Sequence, residues 1–380
     1  MYTVRDFGDM IADRVRMAAY EAALRRTVKP GSVVVDIGAG TGIFTLLACR
    51  FGARKVYAID PNPAIDVARA LVKDNGFRDR VEFISKMSTE VELPERADVI
   101  VSDVRGVLPL APGSVAALLD ARTRWLRPGG ALIPMRDELR VSVVEAPLLH
   151  RTFVDPWDTL HFGFDASAAR ASATSGWCHD RAEPIMLEQI LAPAETWATV
   201  DYEHATGPDV GGTVTLRTNR AGTGHGLALW FDATLTHEDR FSTQPGTRCV
   251  YSRAFFPWPS PVVLEAGAVI EARISAVQVG DDYTFSWTSR FPGNPGVPGG
   301  EFHQTDFFSL VRMGDLLTGE DHRPKKVGPR GLATARALEL LSSGASVGEV
   351  ATTLLQVFPG QFRSREAALF AVRAIVRKYA

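Results

Sequence analysis

Short apolar runs alternate with amphipathic stretches between residues 32 and 134. The apolar runs are rich in β-branched residues and occupy 33–37, 55–60, 81–85 and 98–104. The helical stretches that precede and separate them occupy about 5–27, 41–52, 62–75 and 114–126. Continuous apolar strands that alternate with helices are typical of a parallel sheet covered on both faces. The pattern therefore predicts an α/β Rossmann-like domain over 31–135, preceded by an N-terminal helical cap over 1–30.

The pattern changes after the Arg-Pro-Gly-Gly turn at 127–130. From 138 to 318 most segments are short, alternate apolar with polar residues and are separated by turn residues. Such segments are typical of the antiparallel strands of a sandwich or barrel. We predict a β-barrel domain over 136–320, interrupted at about 155–195 by a polar, weakly patterned insert.

Helical periodicity returns after the His-Arg-Pro break at 322–324. The stretches with this period are about 331–343, 346–357 and 364–379. Ser346 and Ser364 stand where N-cap residues are expected. We predict a C-terminal three-helix domain over 325–380. Nine Lys and Arg against three Glu give this segment a formal charge of 9 − 3 = +6.

Composition narrows the class of protein. Of 380 residues, 46% are hydrophobic and 23% charged, which is the balance of a globular protein with substantial cores. The net charge of −2 gives no global attraction to nucleic acid or to a membrane. No apolar run approaches the ~18 residues of a membrane span, and aspartates interrupt the N-terminus where a signal peptide needs apolar residues. The three distant cysteines predict neither disulfides nor a metal site, and a cytoplasmic protein is expected.

A glycine-rich segment joins the first strand to the following helix. Its acid and its glycines are Asp36, Gly38, Gly40 and Gly42. Glycines at this place let backbone N–H groups approach a ligand at a helix N-terminus. The dinucleotide fingerprint requires a further glycine where this chain has Ile43, so a dinucleotide is disfavoured. An acid followed by G-x-G-x-G is the form found in methyltransferases that use S-adenosylmethionine.

Other residues complete this predicted cofactor site. Asp60 ends the second strand, where a carboxylate accepts hydrogen bonds from both ribose hydroxyls. Asp36 is expected near the methionine amine, and Arg16 on the N-terminal helix near the methionine carboxylate. Adenine is expected near Ser88 and Thr89, after the third strand. The alternative is that the two acids only cap helices, which their spacing with the glycine loop disfavours.

Four stretches of the first half resemble the protein arginine methyltransferases. They are DMIADRVRMAAY (9–20), VVDIGAGTGIFTLLACRFGARKVYAID (34–60), EVELPERADVIVSD (90–103) and WLRPGGALIPMRDEL (125–139). DPWDTLHFGFD (155–165) looks like the start of that family's dimerisation arm, and FSTQPGT (241–247) like the approach to its barrel loop. The resemblance implies a Rossmann-like domain, a β-barrel and an arm that forms a homodimer.

The acceptor site departs from that family's pattern. The resemblance implies two glutamates that hold the substrate guanidinium, but Asp103 stands at the first position and Pro112 or Gly113 at the second. Arg105 adds positive charge beside them, which opposes a cationic acceptor. The barrel loop of the family carries Thr-His-Trp, and this chain has Tyr251 in that loop. We therefore predict Asp103 and Tyr251 as catalytic residues for another acceptor.

The C-terminal segment is similar to small helical domains that carry a precursor peptide in the pyrroloquinoline quinone and other ribosomal-peptide pathways. The similarity rests on LSSGASVGEV (341–350) followed by Phe358-Pro359. It implies that an acidic leader peptide binds this basic module, whereas the alternatives are a structural bundle or a nucleic-acid site.

Together these features predict an S-adenosylmethionine-dependent methyltransferase that N- or O-methylates a peptide or a peptide-derived natural product. The first alternative is a small-molecule methyltransferase whose tail is structural. Protein arginine methylation and a non-catalytic, cofactor-binding scaffold are further alternatives. A nucleic-acid methyltransferase is disfavoured because Ser102-Asp103-Val104-Arg105 stands where an Asn/Asp-Pro-Pro-aromatic motif is usual.

Overall fold

The computed structural model describes residues 2–159, 163–280, 282–291, 299–307, 329–362 and 364–379. The chain divides into two compact units, Met1–Leu310 and Val311–Ala380. In the part of the chain that the structure describes, none of the helices combines the length and apolar character that crossing a bilayer requires.

The first unit begins with two helices and a five-stranded parallel sheet. Its helices are α1 (Val4–Ala12), α2 (Arg14–Thr27), α3 (Ile43–Arg50), α4 (Ile65–Asp74) and α5 (Ser114–Trp125). Its strands are β1 (Val33–Ile37), β2 (Lys55–Ile59), β3 (Val81–Ile84), β4 (Ala97–Ser102) and β5 (Leu126–Ile133). The strand order is β3-β2-β1-β4-β5, and every pair is parallel. The predicted Rossmann-like sheet is confirmed.

This sheet places the carboxyl ends of its strands along one edge. The strand order reverses between β1 and β4, because β2 and β3 lie on one side of β1 and β4 and β5 on the other. Ligands of open α/β sheets bind in the crevice at such a reversal. The glycine loop follows β1 and Asp103 follows β4, so the reversal brings these two segments together.

The second half of the first unit is antiparallel and carries two short helices. The helices are α6 (Pro147–Thr159) and α7 (Ser167–Ala173). The strands are β6 (Arg136–Val144), β7 (Cys178–His179), β8 (Glu195–Asp201), β9 (Val210–Arg217), β10 (Gly222–Thr234), β11 (Arg240–Ser242), β12 (Ala254–Leu264), β13 (Val269–Val279), β14 (Asp282–Phe291) and β15 (Gly300–Thr305).

These strands form two sheets rather than one closed barrel. One has the order β7-β12-β10-β6-β8 with β11 beside β10, and the other has the order β15-β14-β13-β9. The predicted closed barrel is therefore not found among the described strands. Inward side chains such as Trp258 and Trp287, each at most 1% exposed, fill the interior of this half. A shared apolar core, rather than continuous strand pairing, joins it to the parallel sheet.

The second unit is described by three helices, α8 (Pro329–Ser342), α9 (Val347–Val357) and α10 (Arg365–Tyr379). Ser346 caps α9 through its side chain, which accepts a hydrogen bond from the Glu349 N–H in a reciprocal capping box. Ser364 accepts a hydrogen bond from the Ala367 N–H at 3.2 Å. The predicted caps are confirmed. Small and branched side chains such as Ala337 and Val350 form the core of this unit.

Candidate functional site

A cavity of about 520 Å³ opens at the carboxyl ends of the parallel strands. Six of the predicted site residues line it, namely Arg16, Gly38, Asp60, Ser88, Asp103 and Tyr251. The predicted residues that are not among its described lining are Asp36, Gly40, Gly42 and Thr89. The fold thus brings four of the predicted cofactor residues and the two predicted catalytic residues to one cavity, although they come from distant parts of the chain.

The glycine loop is closely packed against its neighbours. Gly40 has a φ of +52°, and a Cβ there would lie 2.3 Å from a ring carbon of Phe7 on α1. Gly38 has a φ of +75°, and a Cβ there would lie 2.4 Å from Val104. Both the positive φ and the lack of space require glycine. The loop therefore turns the Gly40 N–H toward the acid at the end of β2.

That acid, Asp60, is held by two backbone N–H groups. Its Oδ2 accepts a hydrogen bond from Gly40 N at 2.7 Å, and its Oδ1 accepts one from Asn62 N at 2.7 Å. A carboxylate oxygen has two lone pairs, so each oxygen keeps one for a ligand hydroxyl. Asp60 is only 7% exposed and faces the cavity, which fits the two adjacent hydroxyls of a ribose.

The remaining walls suit the rest of S-adenosylmethionine. Ser88 is buried in the lining, whereas Thr89 is exposed and points elsewhere. Apolar side chains such as Ile37 and Met87 offer surface for adenine. Arg16 uses Nη1 to donate to the carbonyl of Met10 at 2.9 Å, and no described residue accepts from its Nη2. That free donor could hold a carboxylate.

Asp36 lies behind the cavity rather than on its wall. Its side chain is completely buried, Oδ2 accepts a hydrogen bond from the Thr45 hydroxyl at 2.6 Å, and Oδ1 has no described partner. Burial raises the pKa of the Asp36 carboxyl to about 7, opposed by the Thr45 hydrogen bond and reinforced by the charge of Asp60. Asp36 therefore has an interior position behind the lining, and its place near the methionine amine stays a prediction.

The Asp36→Asn variant should gain stability relative to the wild type as pH rises from about 4 to about 7. The folded wild type keeps a proton up to pH near 7, whereas the unfolded chain releases it near the ordinary pKa of 3.8. Rising pH therefore stabilises the unfolded wild type, which ionises, relative to the folded wild type, which does not, and the Asn variant lacks this effect. Above pH 7 the difference in the free energy of unfolding between the variant and the wild type should become constant, at about 4 kcal/mol or less.

Urea unfolding at several pH values would measure this difference. Asp66→Asn on α4, where the side chain is 77% exposed, is the matched control and should show no such trend. If the difference in stability between Asp36→Asn and the wild type did not change with pH, Asp36 would be ionised in the folded protein.

Asp103 is the centre of a buried cluster of charges and hydroxyls. Its Oδ1 accepts a hydrogen bond from Arg105 Nη1 at 2.6 Å and lies 3.0 Å from the Tyr20 hydroxyl. The Tyr251 hydroxyl donates to the carboxylate at 2.5 Å, and the Oδ2 pairs with Arg16 Nε. Burial alone would raise the pKa of this carboxyl, but the two guanidiniums outweigh burial and lower it. The carboxylate is ionised and surrounded by donors.

The charge of Arg105 is compensated by a residue that sequence reasoning missed. Arg105 Nε and Nη2 donate to the two carboxylate oxygens of Asp137 at 3.0 and 2.9 Å. The Tyr202 hydroxyl donates to Asp137 as well, at 2.8 Å. The signal in the sequence was an acid in the inward register of β6, two and four residues before Leu139 and Val141. Arg105 is therefore a structural ion-pair partner and not the free repelling charge that was expected.

The loop that carries Tyr251 is held by the N-terminal helices. The Val250 N–H donates to Asp13 Oδ2 at 2.9 Å, while Oδ1 of the same aspartate caps α2. The Tyr251 ring stacks on Phe241 with centroids 6.1 Å apart. Ser252 has a φ of 65°, so the backbone turns sharply after the tyrosine. This arrangement holds the Tyr251 hydroxyl against Asp103.

The described lining on the acceptor side of the cavity contains no second carboxylate. Pro112 and Gly113 line it at the place expected for the second glutamate of a guanidinium clamp. Asp60 and Asp103 are the acids in the described lining. The first is expected to bind ribose and the second is already paired, so the described walls offer no free anion to a cationic acceptor.

Comparison with known proteins agrees with this architecture. The family model for ribosomal protein L11 methyltransferase (PrmA) matches residues 19–134. Protein arginine N-methyltransferase 6 of Danio rerio is 31% identical over 249 residues, covering 62% of this chain and 71% of that protein. Probable protein arginine N-methyltransferase 1.2 of Arabidopsis thaliana is 30% identical over 251 residues, covering 64% of this chain and 68% of that protein.

Two solved structures share the fold at lower identity. The Trypanosoma brucei PRMT1 enzyme–prozyme heterotetrameric complex with AdoHcy has a TM-score of 0.72 and 23% identity, covering 79% of this chain and 97% of that one. Arabidopsis thaliana protein arginine methyltransferase 10, in an open conformation, has a TM-score of 0.71 and 22% identity, covering 80% of this chain and 97% of that one.

Proposed function

The chain belongs to the protein arginine N-methyltransferase family and uses S-adenosylmethionine, and we propose that it methylates an acceptor other than an arginine guanidinium. The acceptor we propose is an amine, carboxylate or hydroxyl of a peptide or a peptide-derived molecule. One observation carries this proposal: Asp103, at the first clamp position, is already bound by Arg16, Arg105 and Tyr251, while the second position has no carboxylate. A guanidinium would enter the cavity without an anion to meet it.

The residues of this chain have separate tasks in the proposal. The cofactor supplies an electrophilic methyl group on a sulfonium centre. Asp60 binds the ribose, the glycine loop gives room for close approach, and Arg16 Nη2 holds the amino-acid end. Tyr251 is proposed to position the nucleophile, which in-line displacement requires, and Asp103 holds the tyrosine hydroxyl in place.

Product analysis tests the proposed function directly. The purified full-length protein is incubated with tritiated S-adenosylmethionine and a peptide and small-molecule extract of its source organism. We expect label in products that contain no methylarginine after acid hydrolysis, because the cavity cannot compensate a guanidinium. Arg273→Ala, an exposed arginine on β13, should behave as the wild type. Methylarginine as the main labelled product would refute the proposal.

We propose further that the second unit binds the peptide through its basic, partly apolar surface. Phe370 is 77% exposed on α10, and the segment from residue 325 carries the formal charge of +6 described above. A labelled acidic peptide with one apolar anchor should bind the full chain and lose most binding in Phe370→Asp. Val263→Asp, at an equally exposed position of the first unit (78%), should bind normally. Equal binding by both variants would contradict this role.

A homodimer through the arm region is also proposed. Two large apolar side chains of the arm, Trp157 (40%) and Phe164 (77%), are exposed, and an interface between two copies would cover them. Sizing in solution should give a mass near twice 41.3 kDa, and a stable species at that monomer mass would contradict the dimer.

A further inference from the structure

Cations outnumber anions on the walls of the cavity. The basic residues in the lining are Arg16, Lys86, Arg105 and Arg181, and the acidic ones are Asp60 and Asp103. Asp137, behind the wall, compensates Arg105. Asp6, which interacts electrostatically with Arg181, balances the remaining charge of the walls, and the sulfonium of the cofactor then adds one positive charge. Such a cavity favours an anionic acceptor, since opposite charges attract strongly where water is partly excluded.

Arg181 and Lys86 are the cations of the described lining that form no described ion pair, and Arg181 also interacts electrostatically with Asp6 on α1. No described residue forms an ion pair with its guanidinium, whereas Arg16 and Arg105 are both paired. Its side chain is exposed and reaches the cavity from the antiparallel half, as Val250 and Tyr251 do.

The backbone on either side of Arg181 is held firmly. The preceding residue, Asp180, is only 1% exposed and accepts hydrogen bonds at 2.8 Å from the N–H groups of Arg253 and Ile185. Asp180 also forms a buried ion pair with the Arg253 side chain at 2.9 Å.

The same walls lack a free base. Asp103 is saturated by donors, and the Tyr251 hydroxyl donates its hydrogen bond to Asp103. Asp60 is held by two N–H groups and keeps its remaining lone pairs for ribose. The described lining contains neither histidine nor cysteine. A nucleophile that must lose a proton during the reaction, such as an alcohol or an ammonium group, has no acceptor for that proton.

From these observations we infer that the acceptor is a carboxylate, that Arg181 binds it, and that the product is a methyl ester. A carboxylate oxygen forms the bond to the methyl carbon while the carbon–sulfur bond breaks and its electron pair remains on sulfur. The carboxylate and sulfonium charges cancel, and no proton moves. The inference rests on the proposed function, because it presupposes that the acceptor is not a guanidinium.

Alkali treatment of the labelled products tests this inference. Methyl esters release volatile tritiated methanol in base, whereas N-methyl and ether products keep their label. With the full-length protein, tritiated S-adenosylmethionine and the source extract, we expect most of the label to become volatile. Alkali-stable label on an amine or hydroxyl, or no label despite intact cofactor binding, would overturn the inference. The first of these results would leave the proposed function standing, whereas methylarginine would overturn both.

Substitution of Arg181 provides the second readout. In Arg181→Ala we expect the acceptor KM to rise about tenfold or more, since a charge-assisted hydrogen bond is worth about 1.5–3 kcal/mol. Arg181→Lys should recover part of the loss, because it keeps the charge. The affinity of both Arg181 variants for S-adenosylmethionine, measured by calorimetry, should equal that of the wild type, which would show that the variants are folded. Arg273→Ala is the matched control. An unchanged KM in Arg181→Ala would remove the assigned role.

Discussion

Replacing Asp60 by alanine should weaken the binding of S-adenosylmethionine by about 100-fold or more. The carboxylate at the end of β2 keeps one free lone pair on each oxygen and faces the cavity, so it can accept hydrogen bonds from both ribose hydroxyls. Hydrogen bonds to a charged group are worth about 1.5–3 kcal/mol each, and losing two corresponds to that change in the dissociation constant. Asp60 also anchors the Gly40 N–H, so the loop that surrounds the ligand loses a support.

Isothermal titration calorimetry with S-adenosylmethionine would measure the effect. Asp66→Ala removes an exposed aspartate six residues later on α4, and it should bind as the wild type does. A thermal melt of each variant separates loss of the ligand contact from loss of the fold. If Asp60→Ala bound the cofactor within a few-fold of the wild type, the ribose would have to lie elsewhere in the cavity.

Replacing Arg105 by methionine should lower the free energy of unfolding of the first unit by about 3–5 kcal/mol. Arg105 and Asp137 are buried to within a few per cent, and the pair is bidentate. Removing the guanidinium leaves the Asp137 charge in the interior with only the Tyr202 hydroxyl as a described partner. It also removes one of the two cations that compensate Asp103. The cost is therefore the desolvation of uncompensated charges and not the loss of a surface contact.

Urea unfolding followed by tryptophan fluorescence would measure this change, because all seven tryptophans lie before residue 311. Arg54→Met breaks a pair with Glu95 in which the arginine is 56% exposed, and it should cost less than about 1 kcal/mol. Adding Asp137→Leu to Arg105→Met should recover much of the lost stability, since it removes the unpaired charge. Similar costs for Arg105→Met and Arg54→Met would mean that Asp137 is neutral or hydrated in the folded protein.

Local sequence features were sufficient for the cofactor side of the site. Asp36, the glycines and Asp60 lie within one strand–loop–helix–strand segment, and their order along the chain dictates how they meet. The same reasoning was less successful for the side chains within that segment. Asp36 and Asp60 are both acids at strand ends, yet one is buried behind the sheet edge and the other faces the cavity. The alternation of side chains along each strand and the path of the following loop decide which of the two acids faces the cavity.

The state of the residues on the acceptor side of the cavity depends on contacts between distant parts of the chain, which no local sequence pattern predicts. Arg105 looked like a free positive charge, because its partner Asp137 lies 32 residues later on an antiparallel strand. Asp103 looked like a base, but Arg16 reaches it from 87 residues earlier and Tyr251 from 148 residues later. The predicted barrel is not closed among the described strands for a related reason. Alternating segments predict strands, but they do not show which strands pair.

By itself, the sequence determined a parallel α/β domain with a glycine loop, an antiparallel second half, capped helices after residue 329 and the use of S-adenosylmethionine. Periodicity, turn residues and capping are properties of neighbouring residues, so they can be inferred without knowing the fold. The tertiary structure alone decided that Asp103 is saturated, that Arg105 is neutralised and that Arg181 lines the cavity without a described ion pair. Charges act through space on whichever groups the fold brings within a few ångströms, and that proximity is not encoded in any one segment.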